Sequence, residues 1–222
     1  MKPILTLATC HTPEGVLLAL IKHDRDYFLM LGGGQLMSTE ACSSEQTMAE
    51  LACANMPAKP RVLIGGFGFG FTLKRVLELS PTNAEVEVAE LLPEILAWNR
   101  EFMHEVNGHL MDDPRVAVKL RDVFDLMDGN EANRYHAILL DVDNSPDPLV
   151  QKGNARLYAR PGLARIRESL HPGGRVVFWS ANRDEAFAKS LRQTFSKVEC
   201  ISAKSYPKAK RFTHTLFVAD RD

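Results

Sequence analysis

Glycines and acidic side chains recur in this chain where strand-like runs give way to helical ones. Gly65-Gly66-Phe67-Gly68-Phe69-Gly70 follows the apolar run Val62-Leu63-Ile64 and opens a helical pattern over 71–79. Gly66, Gly68 and Gly70 lack a Cβ, so the backbone can turn tightly there and approach a ligand. Glu90 closes the next strand-like run, 84–89. An acid about 20 residues past such a loop can accept both hydroxyls of a ribose, or it is a solvated charge at a strand end. Asp122 follows a third run, 115–120. Its carboxylate either takes the amino group of an adenine or caps a short helix over 123–127. Asp141, Asp143 and Asp147 then fall within seven residues, with no Lys or Arg before Lys152. Such a loop attracts a cationic amine, or is a solvated turn of Asp, Asn, Ser and Pro.

The spacing also excludes chemistry. A dinucleotide fingerprint needs a small residue at the last position of G-x-G-x-x-G, and Phe71 stands there. No G-x-x-x-x-G-K-[ST] phosphate loop is present. Three strand ends carrying glycines, Glu90 and Asp122 form a nucleoside cleft without phosphate-binding groups, which suits an adenosyl-sulfonium ligand. The histidines show no metal-ligand spacing, so no metal is expected. Cys10, Cys42, Cys53 and Cys200 form no C-x-x-C pair and read as reduced thiols.

The elements that must position these residues are legible in outline. Residues 4–10, 16–21 and 27–31 are short apolar runs separated by turn residues, a small antiparallel meander that Gly32-Gly33-Gly34 ends. Ser43-Ser44-Glu45-Gln46 reads as a capped helix start. From Lys59 onward strands and helices alternate, with helices at 71–79, 93–104, within 154–170 and at 184–195, and a turn at Pro172-Gly173-Gly174. The fold class is therefore α/β: a Rossmann-like, doubly wound, mostly parallel sheet with a small N-terminal antiparallel β-region. The expected division is 1–42 for the β-region and 43–222 for the nucleoside-binding domain.

Composition is ordinary for a globular chain of 222 residues, with 45% hydrophobic and 25% charged residues. The formal net charge of −1 speaks against a general nucleic-acid or membrane-surface binder. The basic stretch Lys204, Lys208, Lys210 and Arg211 reads as a solvated loop. No apolar run approaches the roughly 18 residues of a membrane span, and the first residues lack the pattern of a signal peptide. A cytoplasmic protein with no membrane or nucleic-acid partner is the expectation.

These motifs resemble the spermidine synthase (polyamine aminopropyltransferase) family of the class I S-adenosylmethionine-dependent methyltransferase superfamily. The resemblance covers about residues 27–220. It rests on the glycine loop, the helix Thr72-Leu73-Lys74-Arg75-Val76-Leu77, Glu90, the turn Asp113-Pro114-Arg115-Val116, Asp122, the acidic loop and Leu170-His171-Pro172-Gly173-Gly174. It implies that Gly66, Gly68, Gly70, Glu90, Asp122, Asp141 and Gln35 hold S-adenosylmethionine or its decarboxylated form. The product would be S-adenosylhomocysteine or methylthioadenosine, the acceptor a small amine, and the assembly a homodimer. The sequence departs from the family at two places. The family's second loop aspartate, which helps deprotonate the amine, falls on Asn144, and its Tyr-His-Glu becomes Ser44-Glu45-Gln46. An amide is no general base, so Asp143 is the expected substitute, and standard putrescine chemistry is expected to be slow or absent. Trp179 either shapes the acceptor pocket or belongs to the core.

Overall fold

A computed structural model describes residues 3–130, 134–142 and 152–222. The first four strands, β1 (Ile4–His11), β2 (Leu17–His23), β3 (Asp26–Leu31) and β4 (Gly34–Ser38), pair in sequence order as an antiparallel sheet. The three-strand expectation missed β4. Gly32 and Gly33 both have positive φ, 56° and 87°, and Leu31 pairs with Gly34. They form the two-residue hairpin that reverses the chain, a turn requiring two such residues, rather than the end of the meander.

The remaining strands build a seven-stranded sheet. They are β5 (Arg61–Gly65), β6 (Glu85–Glu90), β7 (Val116–Leu120), β8 (Tyr135–Leu140), β9 (Leu170–Ser180), β10 (Lys197–Ala203) and β11 (His214–Asp220), in the order β10-β11-β9-β8-β5-β6-β7. All neighbours from β9 to β7 are parallel, and β11 pairs antiparallel with both β9 and β10. The helices are α1 (Ser43–Ala52), α2 (Phe71–Leu79), α3 (Pro93–Phe102), α4 (Val123–Leu126), α5 (Ala155–Tyr158), α6 (Arg160–Glu168) and α7 (Glu185–Arg192). The central strands are apolar on both faces, and their period of two splits the core. Val62, Ile64, Val88, Ala137 and Leu139 pack with α1, α2 and α3. Leu63, Ile138, Leu140, Val176 and Phe178 pack with residues of α5, α6 and α7. This is the two-sided burial of a parallel sheet. The first of these clusters also takes in Leu18, Leu20, Tyr27 and Leu29, so the small sheet shares its core with α1 and the large sheet.

Local chemistry explains three differences from the sequence reading. The stretch 154–170, expected to contain a helix, holds two, α5 and α6, separated at Ala159 because Pro161 has no N–H to continue the first. Pro172-Gly173-Gly174 lies inside β9 and not in a separate turn. Pairing with β8 slips between Tyr135↔Leu170 and Ala137↔Arg175, and Gly173, at φ 75°, donates its N–H to Arg221. The segment is a bulge. The Ser cap of α1 does not form. Cys42 occupies the N-cap without a side-chain bond, and the Ser43 N–H is satisfied instead by the Ser205 carbonyl at 3.0 Å.

The Asp113-Pro114-Arg115-Val116 turn ties β7 to the end of α2. Arg115 meets Asp113 through Nε at 2.9 Å and Nη2 at 2.8 Å. Its Nη1 donates to the carbonyls of Leu77 and Ser80. The guanidinium holds the Asp113 carboxyl below its ordinary range. Arg115→Ala is expected to cost about 2–3 kcal/mol, the range for charge-assisted bonds lost from a part-buried site. Urea denaturation should show a lower midpoint at unchanged slope.

Candidate functional site

A cavity of about 390 Å³ opens at the carboxyl ends of the strands. It lies where the strand order reverses around β5, the place ligands take in open α/β sheets. Each parallel strand contributes a residue at or just past its carboxyl end. β5 brings the glycine loop, β6 Glu90, β7 Asp122 and β8 Asp141, while β9 contributes Trp179. Gln35 of β4 closes the cavity from the small sheet.

The glycine loop is shaped by the protein around it. Gly66, Gly68 and Gly70 all have positive φ. A Cβ on Gly66 would lie 2.5 Å from the Asp141 carbonyl oxygen. Its missing side chain therefore serves the packing of β5 against the chain leaving β8, a reason the sequence reading did not give. Two buried amides brace the loop from outside. Asn99 donates to the Gly68 carbonyl at 2.9 Å, and Asn107 to the Phe69 carbonyl at 2.8 Å.

Glu90 is neither a solvated strand end nor a carboxylate left wholly free for ligand. It is 8% exposed. Its Oε1 accepts from the N–H groups of Leu91 and Leu92 at 2.8 and 2.9 Å, and Oε2 accepts from Phe67 at 2.9 Å. The side chain staples the glycine loop to the start of α3. Burial raises its pKa, while these backbone bonds pull the other way. A carboxylate offers about four acceptor positions, and four backbone N–H groups, those of Leu92, Phe67, Leu91 and Gly68, act on this one, so a ligand hydroxyl would have to share or displace one of them. Asp122 does cap α4, accepting from Phe124 N–H at 2.9 Å. Its other oxygen meets Arg156 at 2.8 Å, and the same side chain lines the cavity.

Where the glycine loop meets α1 and α2, a smaller cavity of about 20 Å³ is bordered by Glu45, Thr72 and Asp141. Glu45 and Asp141 face both cavities. Burial, and then the neighbouring Glu45 carboxylate, push Asp141 up to about 8, with Thr72 opposing. Burial raises Glu45 as well, against the bond it accepts from the Ser44 hydroxyl at 2.6 Å. Two like charges so placed cannot both ionise freely.

A third group stands at the β11 side. Trp179 lines the cavity half-buried, its ring 4.7 Å from that of His214. The His214 Nε2 lies 3.0 Å from the Ser205 hydroxyl, and burial lowers the ring's pKa.

The structure thus brings Gly66, Gly68, Glu90, Asp122, Asp141 and Gln35 to one cavity. Gly70 instead caps α2. Asp143, Asn144 and Asp147 lie outside the described residues. Sequence reasoning missed Glu45, His214 and Ser205. Glu45 had a signal: with Met48, Ala49 and Ala52 it falls on the buried face of α1, where an acid is out of place. His214 and Ser205, flanking a polar loop, had none. No cysteine borders either cavity, and burial raises all four thiols, Cys53 to about 12. Among the described residues no group of His, Cys, Asp and Glu is arranged to hold a metal ion, and no helix is long and apolar enough to cross a membrane.

No family model matches the chain. Curated proteins do. Putrescine N-methyltransferase 2 of Nicotiana tabacum is 31% identical over 132 residues, 59% of this chain and 35% of the relative. Polyamine aminopropyltransferase 1 of Hyperthermus butylicus is 27% identical over 176 residues, 77% of this chain and 58% of the relative. Spermidine synthase 1 of Hyoscyamus niger is 28% identical over 144 residues, 64% of this chain and 43% of the relative. The chain spans between about a third and three fifths of the length of these relatives. Among solved structures, the spermidine synthase of Thermotoga maritima superposes with a TM-score of 0.78 at 16% identity, covering 98% of this chain and 73% of that one. A spermidine synthase in complex with the transition-state analogue AdoDATO gives a TM-score of 0.77 at 14% identity, covering 98% and 72%. The chain is similar in sequence to aminopropyltransferases and putrescine N-methyltransferases, and it has the spermidine synthase-like fold.

Proposed function

We propose that the chain is a transferase that binds an S-adenosylmethionine-type donor and passes an alkyl group from it to a small amine. The observation that carries this reading is the convergence of the glycine loop, Glu90 and Asp122 on one cavity of about 390 Å³, at the strand ends where such ligands bind. The relatives' names agree with it. The donor supplies an activated carbon on a sulfonium, which an amine attacks in line.

The chain's own residues then position and shield the reactants. Glu90 and the loop it staples would hold the ribose, and Asp122 the adenine edge. Apolar side chains of β2, β3 and β4, among them Leu18, Leu29 and Met37, wall the cavity from the other side and keep out water. Trp179 gives the acceptor a flat apolar surface. Positioning of this kind supplies most of the acceleration in a displacement. On the sequence resemblance, Asp143 is the group proposed to orient and deprotonate the amine in place of Asn144. With the family's loop aspartate and tyrosine absent at Asn144 and Ser44, putrescine is proposed to be a poor acceptor. A homodimer is also part of this reading, supported by the exposed Ile4 and Leu5 on the edge strand β1 and the exposed Leu17 on the adjacent β2.

Calorimetric titration with methylthioadenosine tests the nucleoside site without committing to a donor. Binding is expected, and NADH should not compete. Glu90→Ala should weaken binding by about 1.5–3 kcal/mol, the range for hydrogen bonds to a charged group. Equal affinity for NADH, or an unaffected Glu90→Ala, would remove the basis of the assignment.

A further inference from the structure

The polar groups of the larger cavity divide between its two ends. Glu90 and Asp122 stand at β6 and β7, on one side of β8. Trp179, Ser205 and His214 stand on the other side, at the end of β9 and around the loop from β10 to β11. Strand pairing sets this second group. Ala203 lies opposite His214, and the Thr213 N–H donates to the Ala203 carbonyl at 3.1 Å. The Ser205 carbonyl is fixed by the Ser43 N–H of α1. The Ser205 hydroxyl lies 2.6 Å from the Thr213 hydroxyl and 3.0 Å from His214 Nε2. When Thr213 donates to Ser205, the Ser205 proton is left for Nε2. His214 Nδ1 is buried and, among the described residues, has no hydrogen-bond partner. No carboxylate backs the ring as one does in a Ser-His-Asp triad, so the imidazole is a neutral, weak base.

We propose that Ser205 and His214 form a proton relay at the acceptor end of the cavity, and that the acceptor they serve is a weakly basic primary amine and not an aliphatic diamine. The proposal rests on the reading above that the cavity holds an adenosyl-sulfonium donor, and it sets His214 against Asp143 for the role of base. In the step, the acceptor's ammonium gives a proton to Ser205 Oγ as the Ser205 proton passes to His214 Nε2. The electron pair this frees on nitrogen forms the bond to the donor's carbon. The carbon–sulfur pair leaves with sulfur, which becomes a neutral thioether. Basicity then sets the acceptor. An ordinary imidazole has a pKa of about 6.5, and burial lowers this one. An aliphatic ammonium at about 10.4 lies roughly four units higher, a factor of about 10⁴ against the transfer. An α-ammonium, at about 7.7–8.0, lies only about 1.5 units above the ordinary imidazole.

The test is release of methylthioadenosine from decarboxylated S-adenosylmethionine, and of S-adenosylhomocysteine from S-adenosylmethionine, with glycinamide and with putrescine as acceptors. It uses the full chain and its His214→Gln, Ser205→Ala, Ser205→Thr and Asp143→Asn variants. Glycinamide, an α-amine, should be the better acceptor near neutral pH. There His214→Gln and Ser205→Ala should each lower turnover by about 10²–10⁴-fold, the span of a general base, and Ser205→Thr, which keeps a hydroxyl, should recover most of it. Methylthioadenosine affinity should be unchanged in the His214 and Ser205 variants. The pH profile separates proton transfer from damage to the fold. Without the relay only amine already deprotonated in water reacts, so the His214→Gln rate should climb about tenfold per pH unit and approach the unsubstituted rate near the amine's own pKa. Glu45, Glu90, Asp122, Asp141 and Arg121 along the cavity, and Lys204 beside Ser205, are common to both proteins, so the difference between the profiles reads His214. Parallel profiles overturn the proposal, as does a preference for putrescine or a loss of turnover confined to Asp143→Asn. No release from either donor while methylthioadenosine binds also overturns it and leaves the nucleoside reading standing. Failure of methylthioadenosine to bind the unsubstituted chain removes the nucleoside reading itself.

Discussion

Gly66→Ala is expected to destabilise the chain by about 3–5 kcal/mol, at the upper end of single-residue effects, and to abolish methylthioadenosine binding. Two costs add. The residue has φ 90°, a region that an L side chain enters at a cost of about 1–2 kcal/mol. The new Cβ would also stand 2.5 Å from the Asp141 carbonyl oxygen, and that atom belongs to backbone at the end of a central strand, so it cannot swing aside. Gly33 is the control. Its φ is 87°, with nothing within 4 Å of a built Cβ. Gly33→Ala should therefore cost only the conformational part, about 1–2 kcal/mol. Urea denaturation of both variants separates the two terms. Similar losses at Gly66 and Gly33 would show that the loop relaxes around the methyl group and that the close packing against Asp141 carries no weight.

The second large effect is a dependence of stability on pH that one substitution should remove. Asp141 is held up to about 8 by burial and by Glu45, against about 3.9 in an unfolded chain. The folded state therefore binds the proton more tightly than the unfolded state. Stability from this group is fully present below about pH 4 and is lost as the pH rises through 8, the sign required when the unfolded state binds fewer protons. Without ligand, the protein should lose on the order of 3 kcal/mol between pH 5 and pH 8.5. Asp141→Asn should flatten most of that slope and be the more stable protein at the alkaline end. A remainder of the same sign is expected from Glu45 and Glu90, whose carboxyls are also raised. Parallel slopes for the two proteins would mean that Asp141 is ionised at little cost and that the cavity is wetter than its geometry implies.

Most of the scaffold was legible because a parallel sheet buried on both faces writes itself into sequence as short apolar runs. Val62-Leu63-Ile64 and Tyr135–Leu140 are such runs, and Pro93 and Phe71 begin helices where the pattern placed them. What failed were positions governed by contacts distant in the chain. The cap of α1 went unmade because the Ser205 carbonyl, some 160 residues away, takes the Ser43 N–H. The glycines of β4's hairpin looked like an ending because nothing local marks the return strand Gly34–Ser38. The site followed the same division. Glu90 and Asp122 announce themselves by standing after strands, but their bonds to Phe67, Leu92 and Arg156 depend on where three other elements pass. Glu45 was mistaken for capping chemistry because its first-turn position and its place on the buried face give competing signals.

The bracing of the glycine loop by Asn99 and Asn107 bears on how fast a ligand arrives. Both amides are buried, at 1% and 0% exposure, and each spends its N–H on a loop carbonyl. The loop is therefore in its final shape before anything enters the cavity. A ligand need not wait for a rare conformer, and its association should be a single phase whose rate rises in proportion to concentration, with no plateau set by a slow closing step. Affinity differences among nucleosides would then be written in their residence times.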